Sequence, residues 1–233
     1  AKALNKGLHV FCEKPPAMKI EELGIVSKAL KSSGKVLKYG FNHRYHYSVI
    51  EAKKIINSGK LGKLLWLRGV YGKAGSIDYN KNWRNFRNIS GGGILIDQGI
   101  HLVDLIQYLS NKDFKTFSSY ISTMYWDIES EDNAFAILKT DDNIIASIHS
   151  SATHWKHKFL LEICFENGYL NLDGILSNTR SYAPETLKIG YKEFEDITFA
   201  MGKPQEKTIW FENDDSWRLE IEEFTNAILG KSE

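Results

Sequence analysis

Two cysteines, Cys12 and Cys164, are all that the 233 residues contain. They are too few and too far apart for a disulfide framework or a cysteine-based zinc site, and reduced thiols in a cytoplasmic protein are the expectation. No charge of one sign dominates: 30 basic residues face 29 acidic ones, for a net charge of +1. That balance gives no general attraction to nucleic acid or to an anionic membrane, so neither is expected as a partner. No apolar run approaches the ~18 residues that span a bilayer, and the N-terminus lacks the pattern of a secretory signal. An initiating methionine is also absent. The opening Ala1-Lys2-Ala3-Leu4-Asn5-Lys6-Gly7 instead reads as the last turn of a helix with its terminal glycine. Nowhere is there a Gly-x-Gly-x-x-Gly, the loop that carries a dinucleotide pyrophosphate.

What remains is ordinary globular material, 42% hydrophobic and 25% charged. Leu8 to Cys12 is a short buried strand. Ile20 to Ser32 places Leu23, Val26, Ala29 and Leu30 at helical spacing before Ser33-Gly34, and Val36 to Phe41 is a second strand. Strand, helix and strand in that order make a parallel unit. Tyr47 to Ser58 is the next helix, closed by Gly59. The character then changes to successive strands at 64–71, 117–125, 133–139, 144–150, 159–165 and 169–172, with turns at 140–143 and 166–168 suited to antiparallel hairpins. Helices from about Gln98 to Leu109 and from Trp217 to Leu229 complete the pattern.

Two segments carry the chemistry. Gly91-Gly92-Gly93-Ile94-Leu95-Ile96-Asp97-Gln98-Gly99-Ile100-His101 sets a carboxylate and an imidazole four residues apart, on one face if helix begins near Asp97. Glu13-Lys14-Pro15-Pro16 places a lysine in extended chain at the carboxyl end of a strand, where open parallel sheets bind ligands. Lysine, aspartate and histidine together suit proton transfer to and from a hydroxyl. Each also has a plainer reading: a solvated lysine, a helix N-cap and a structural histidine. The glycine triplet lacks the lysine and threonine of a phosphate loop and reads as a close approach of backbone to a ligand or to the cofactor domain, or as a flexible loop. Trp83 and Arg84 combine aromatic surface with a guanidinium, suited to stacking on a sugar. Asn42, His43 and Arg44 lie at the junction of the two halves. His43-x-x-His46 and His154-x-x-His157 have metal-like spacing without a convincing third ligand, so no metal is expected.

In Gly7-Leu8-His9-Val10-Phe11-Cys12-Glu13-Lys14-Pro15, in Asn42-His43-Arg44-Tyr45 and in the glycine run leading to Asp97 and His101, the chain resembles the Gfo/Idh/MocA family of nicotinamide-dependent sugar oxidoreductases. The resemblance extends over most of the chain. It implies an α/β fold: the C-terminal part of a Rossmann-like dinucleotide-binding domain at 1–41, then an α+β substrate-binding and oligomerisation domain at 42–233 with a large, mostly antiparallel open sheet covered by helices on one face. It implies NAD or NADP as cofactor, held by Glu13, Lys14, Pro15, Asn42 and Arg44. Catalysis falls to Lys14, Asp97 and His101, and the substrate, a sugar, cyclitol or nucleotide-sugar, to Trp83, Arg84, Asp97 and His101. A homodimer or homotetramer is implied as well. The missing glycine fingerprint departs from the family pattern and leads to the expectation that the chain is a fragment, lacking about the first third of a family member and some C-terminal residues. Two other functions fit the same residues: an NAD-dependent glycosidase, and a non-catalytic sugar-binding or oligomerisation module.

Overall fold

The computed structural model describes residues 1–192 and 204–231. A single helical turn, α1 (Lys2–Asn5), leads into β1 (Val10–Glu13), α2 (Ile20–Ser33) and β2 (Leu37–Gly40). β1 and β2 pair in parallel, with α2 as the crossover between them. Gly34 ends α2 in the left-handed region at φ 61°, a conformation that costs glycine little.

A 3₁₀ turn (Asn42–Tyr45) and α3 (Tyr47–Asn57) carry the chain to β3 (Leu64–Gly72). After α4 (Arg87–Ser90) come a π-helical turn (Leu95–Gly99) and α5 (Ile100–Ser110). Six of the seven remaining strands follow as β4 (Thr116–Ser122), β5 (Asn133–Lys139), β6 (Ile145–Ser151), β7 (Lys158–Phe165), β8 (Gly168–Asp173) and β9 (Glu185–Tyr191). β10 (Glu206–Phe211) and α6 (Ser216–Ile228) close the described chain. The large sheet runs β10-β9-β8-β7-β3-β6-β5-β4. Every pair in it is antiparallel except β3 with β6.

Helices cover one face. Val49 and Ala52 of α3 and Leu102, Leu105, Ile106 and Leu109 of α5 are buried against Leu67, Leu161, Ile163, Leu170 and Leu187 of the sheet. At Gly69 α5 packs close to the sheet, since a Cβ there would lie 2.9 Å from Leu102 Cδ2. The opposite face is open and carries Trp66, Phe135, Ile137, Ile145 and Trp210, all more than a third exposed. α6 returns to the parallel pair, where Phe224 meets Phe11 edge-on at 5.7 Å and Glu223 accepts from Lys38 Nζ at 3.0 Å and from the Tyr45 hydroxyl at 2.6 Å.

Four expectations are corrected. Helix before Asp97 starts at Ile94, so Asp97 lies inside a continuous helical run and is not its N-cap. β4 stops at Ser122 because the Asp132 carboxylate draws in the amides of Met124, Tyr125 and Trp126 at 2.8–3.0 Å and folds that stretch into a turn. β9 and β10 are additional strands. β9 opens on a fully buried Glu185, which masks its alternation, and β10 is a half-exposed edge. Finally, an 18-residue window within Arg87–Ser110 reaches a mean hydropathy of 1.2, apolar enough by composition to cross a membrane; half of it is buried inside the protein, where α5 forms core.

Candidate active site

Within the glycine triplet, Gly93 is explained by Glu131. A Cβ on Gly93 would lie 2.1 Å from the Glu131 carbonyl oxygen, so only glycine fits, and the close approach is to protein backbone rather than to a ligand. Glu131 in turn caps the helical run: its Oε1 accepts from the amides of Gly93 at 3.0 Å and Leu95 at 3.2 Å, two donors that the first turn cannot satisfy. Ser150 Oγ donates to the Ile94 carbonyl at 3.0 Å and braces the same turn from β6. A π turn shifts the helical bonding by one residue and re-aims its side chains, which here include Asp97. Replacing Glu131 by alanine is expected to cost about 1 kcal/mol of stability in urea unfolding, as for loss of other N-terminal caps.

Asp97 is the centre of the charged cluster. Its Oδ2 accepts from Lys73 Nζ at 2.6 Å, its Oδ1 lies 3.3 Å from Arg84 Nε and 3.8 Å from Lys14 Nζ, and its main-chain carbonyl accepts directly from Lys14 Nζ. Burial pushes the Asp97 carboxyl up, but the Lys73 ammonium, helped by Lys14 and Arg84, outweighs it and holds the group below the usual carboxylate range. Lys14, from the end of β1, has its proton affinity lowered by burial; Asp97 pulls the other way, and repulsion from Arg84 and Lys73 adds to the lowering. An amine so placed can release and recover a proton near neutral pH more readily than a surface lysine.

His101 is 5% exposed, and its Nδ1 is buried with no hydrogen-bond partner among the described residues. Burial, reinforced by the Lys14 ammonium, pushes it down to about 3, so it is a neutral imidazole at physiological pH. The ring is stacked on His43 with centroids 3.7 Å apart and planes at 13°, and Phe41 meets it edge-on. His43 is itself held neutral by burial and by the neighbouring His101. Its Nδ1–H donates to Asn42 Oδ1 and its Nε2 accepts from the Tyr71 hydroxyl, both at 3.0 Å.

A cavity of about 680 Å³ brings together six of the residues singled out in the sequence: Glu13, Lys14, Pro15, Trp83, Arg84 and Asp97. Arg84 rests 4.5 Å from the Trp83 ring centroid, and half of Trp83 is exposed to the cavity and solvent. His101 lies behind this group. Asn42 and Arg44 are placed elsewhere: Asn42 Nδ2 donates to Ser216 Oγ at 3.3 Å, and Arg44 forks onto Asp104, with its Nε 2.8 Å from Oδ2. His46 is likewise spent, its Nδ1–H on buried Glu185 at 3.0 Å. Lys73 is the charged residue that sequence reasoning missed. It lies 24 positions from Asp97 in a segment without a periodic pattern, and only the pairing of β3 with β6 and β7 brings it there.

Comparison with known proteins agrees with the fold. Residues 1–41 match the family model described as an oxidoreductase family with an NAD-binding Rossmann fold, and residues 49–171 match that of the GFO/IDH/MocA C-terminal domain. The chain is similar to levoglucosan dehydrogenase of Pseudarthrobacter phenanthrenivorans, 36% identical over 123 residues that make up 52% of this chain and 31% of that protein. It is also similar to glucose-6-phosphate 3-dehydrogenase of Bacillus subtilis, 36% identical over 118 residues, 50% of this chain and 34% of the relative. The matched half of the chain thus spans about a third of the length of these curated relatives. Among solved structures, a levoglucosan dehydrogenase in complex with NADH and levoglucosan superposes with a TM-score of 0.83 at 22% identity, over 99% of this chain and 67% of the other. With more than half of its residues matched by the C-terminal domain model alone, the chain belongs to the Gfo/Idh/MocA family.

Proposed function

We propose that the protein is an oxidoreductase that moves a hydride between NAD or NADP and a hydroxyl-bearing carbon of a sugar, cyclitol or nucleotide-linked sugar. The observation that carries this reading is the meeting of Lys14 and Asp97 on one cavity at the carboxyl end of a parallel β1–β2 pair, the end at which such sheets bind ligands. On this reading Glu13, Lys14 and Pro15, which line the cavity, hold the nicotinamide end of a cofactor. Asn42 and Arg44, bonded to Ser216 and Asp104 away from this cavity, take no part in that contact.

A nicotinamide, when bound, supplies the hydride acceptor or donor. The protein's own residues handle the proton. Lys14 in its neutral form takes the proton of the substrate hydroxyl as the carbonyl forms, and returns it in the reverse direction. Asp97, ionised and fixed by Lys73 and Arg84, accepts a hydrogen bond from a neighbouring substrate hydroxyl and orients the ring. His101, neutral and clamped against His43, offers a ring nitrogen to the reacting oxygen without carrying a charge. Trp83 and Arg84 form the wall on which a sugar face stacks. A homodimer or homotetramer is proposed on the open sheet face, supported by the exposed Trp66, Phe135, Ile137, Ile145 and Trp210. Titrating the full-length protein with NADH and with NADPH, following nicotinamide fluorescence, tests the cofactor assignment. Saturable binding of either is expected, and failure to bind both would contradict it.

A further inference from the structure

The lysine that follows β3 is buried to the same degree as the carboxylate it meets, each 17% exposed. Lys73 Nζ donates to Asp97 Oδ2 at 2.6 Å and lies 5.4 Å from the centroid of the Tyr79 ring. At 3.8 Å, Lys14 Nζ is beyond hydrogen-bond reach of the same carboxylate and is anchored instead on the neutral main-chain carbonyl of Asp97. Two lysines therefore flank one carboxylate, and the short, charge-assisted bond goes to Lys73.

We propose that Lys73 is a positioning residue which, by holding Asp97 Oδ2 while Arg84 lies 3.3 Å from Oδ1, leaves the Lys14 ammonium without a short ion-pair partner and so able to exchange its proton with a bound hydroxyl. The proposal deepens the reading of Lys14 as the proton-transfer group and rests on it. The alternative pairing shows what Lys73 prevents. With Lys73 uncharged, Asp97 would be drawn to Lys14, and the resulting short ion pair would hold the proton on the amine. Two effects act in one direction, because removing Lys73 also removes a like charge that repels the Lys14 ammonium. The other charges facing Lys14 are Glu13 on its own strand and Arg84 from the cavity wall. Lys73 also lies near His157, and His43 and His101 sense Lys14; burial keeps all three imidazoles toward the neutral form.

The test follows the Lys14 Cε resonance of ¹³C,¹⁵N-lysine-labelled full-length protein as a function of pH, the signal being assigned by its loss in Lys14→Arg. Wild-type Lys14 is expected to titrate below the ~10.4 of an unperturbed lysine. In Lys73→Met its midpoint should rise by about 1 pH unit or more, and in Lys73→Arg it should return toward the wild-type value. Lys73→Gln repeats the measurement should the methionine variant fail to fold. A Lys14 midpoint unchanged or lowered in both neutral variants would overturn the proposal, as would an arginine variant that shifts as far as they do. The titration needs no turnover, which separates the two levels of the account. Full turnover by Lys14→Met would overturn the proposal together with the catalytic reading, whereas a Lys14 titration indifferent to Lys73, in an enzyme that Lys14→Met inactivates, would overturn the proposal alone.

Discussion

Lys14→Met is expected to lower kcat/KM by about 10³-fold, with a much smaller loss of NADH affinity because Glu13 and Pro15 still line the cofactor side of the cavity. Methionine keeps the length and much of the packing of the lysine stem but cannot take a proton, and a positioned acid–base group contributes roughly 10²–10⁴ in rate. The split between turnover and cofactor affinity distinguishes proton transfer from a merely structural lysine, because collapse of the β1 end would weaken both. The pH dependence should carry the same signature. His101 is held neutral down to about pH 3, so the fall in kcat/KM on acidification should report protonation of Lys14 and not an imidazole in the ordinary histidine range. A profile whose acid limb vanishes in His101→Gln, with Lys14→Met fully active, would reverse the two roles.

Glu220→Gln is expected to remove a pH-dependent loss of stability of roughly 3 kcal/mol. Glu220 projects from α6, is fully buried, and neither carboxylate oxygen has a hydrogen-bond partner among the described residues. It faces a cavity of about 260 Å³ beside Lys38, Arg44 and Tyr45. The cations there are already spent: Lys38 Nζ donates to the Tyr45 hydroxyl at 2.6 Å and to Glu223 at 3.0 Å, and Arg44 is forked onto Asp104. Burial therefore dominates and pushes the Glu220 carboxyl up to about 7, with Lys38 and the nearby Phe41 amide offsetting only part of the rise and Glu13 and Glu223 adding to it. The sign follows from linkage. Between the unfolded value near ~4.3 and the folded value, the native state binds the proton and the unfolded state does not, so stability falls as pH rises through that window. The neutral amide has no such dependence. Urea unfolding of both proteins at mildly acidic and mildly alkaline pH checks this, and parallel losses in the two would contradict it.

The fold was legible where local chemistry and long-range structure agree. Leu8 to Cys12, the helical spacing of Leu23, Val26, Ala29 and Leu30, and the turns at 140–143 and 166–168 all specify their elements within a few residues of sequence. β9 was hidden because its first residue, Glu185, is a buried carboxylate satisfied by His46 Nδ1 and by the amides of Ser48 and Leu176, all at 3.0 Å, partners that come from other elements. Asp97 resembles a helix start in sequence because the true cap, Glu131, comes from a segment 34 positions later in the chain and supplies what an N-cap residue ordinarily would. The same limit applied to the site. Lys14, Asp97, Trp83 and Arg84 announce themselves by motif, whereas Lys73 earns its place through strand pairing alone, and the burial that makes His101 a neutral imidazole has no trace in its neighbours along the chain.

The central claim is that Lys14 and Asp97 form the proton-handling half of a hydride-transfer site. Its most direct test is to incubate the full-length protein with NAD or NADP and a panel of sugars, cyclitols and nucleotide-sugars, following formation of reduced nicotinamide in wild type, Lys14→Met and Asp97→Asn. The account predicts net reduction of cofactor with at least one such hydroxyl compound, lost in both variants. Reduction at wild-type rates by Lys14→Met, or substrate cleavage without any net reduction of cofactor, would contradict it.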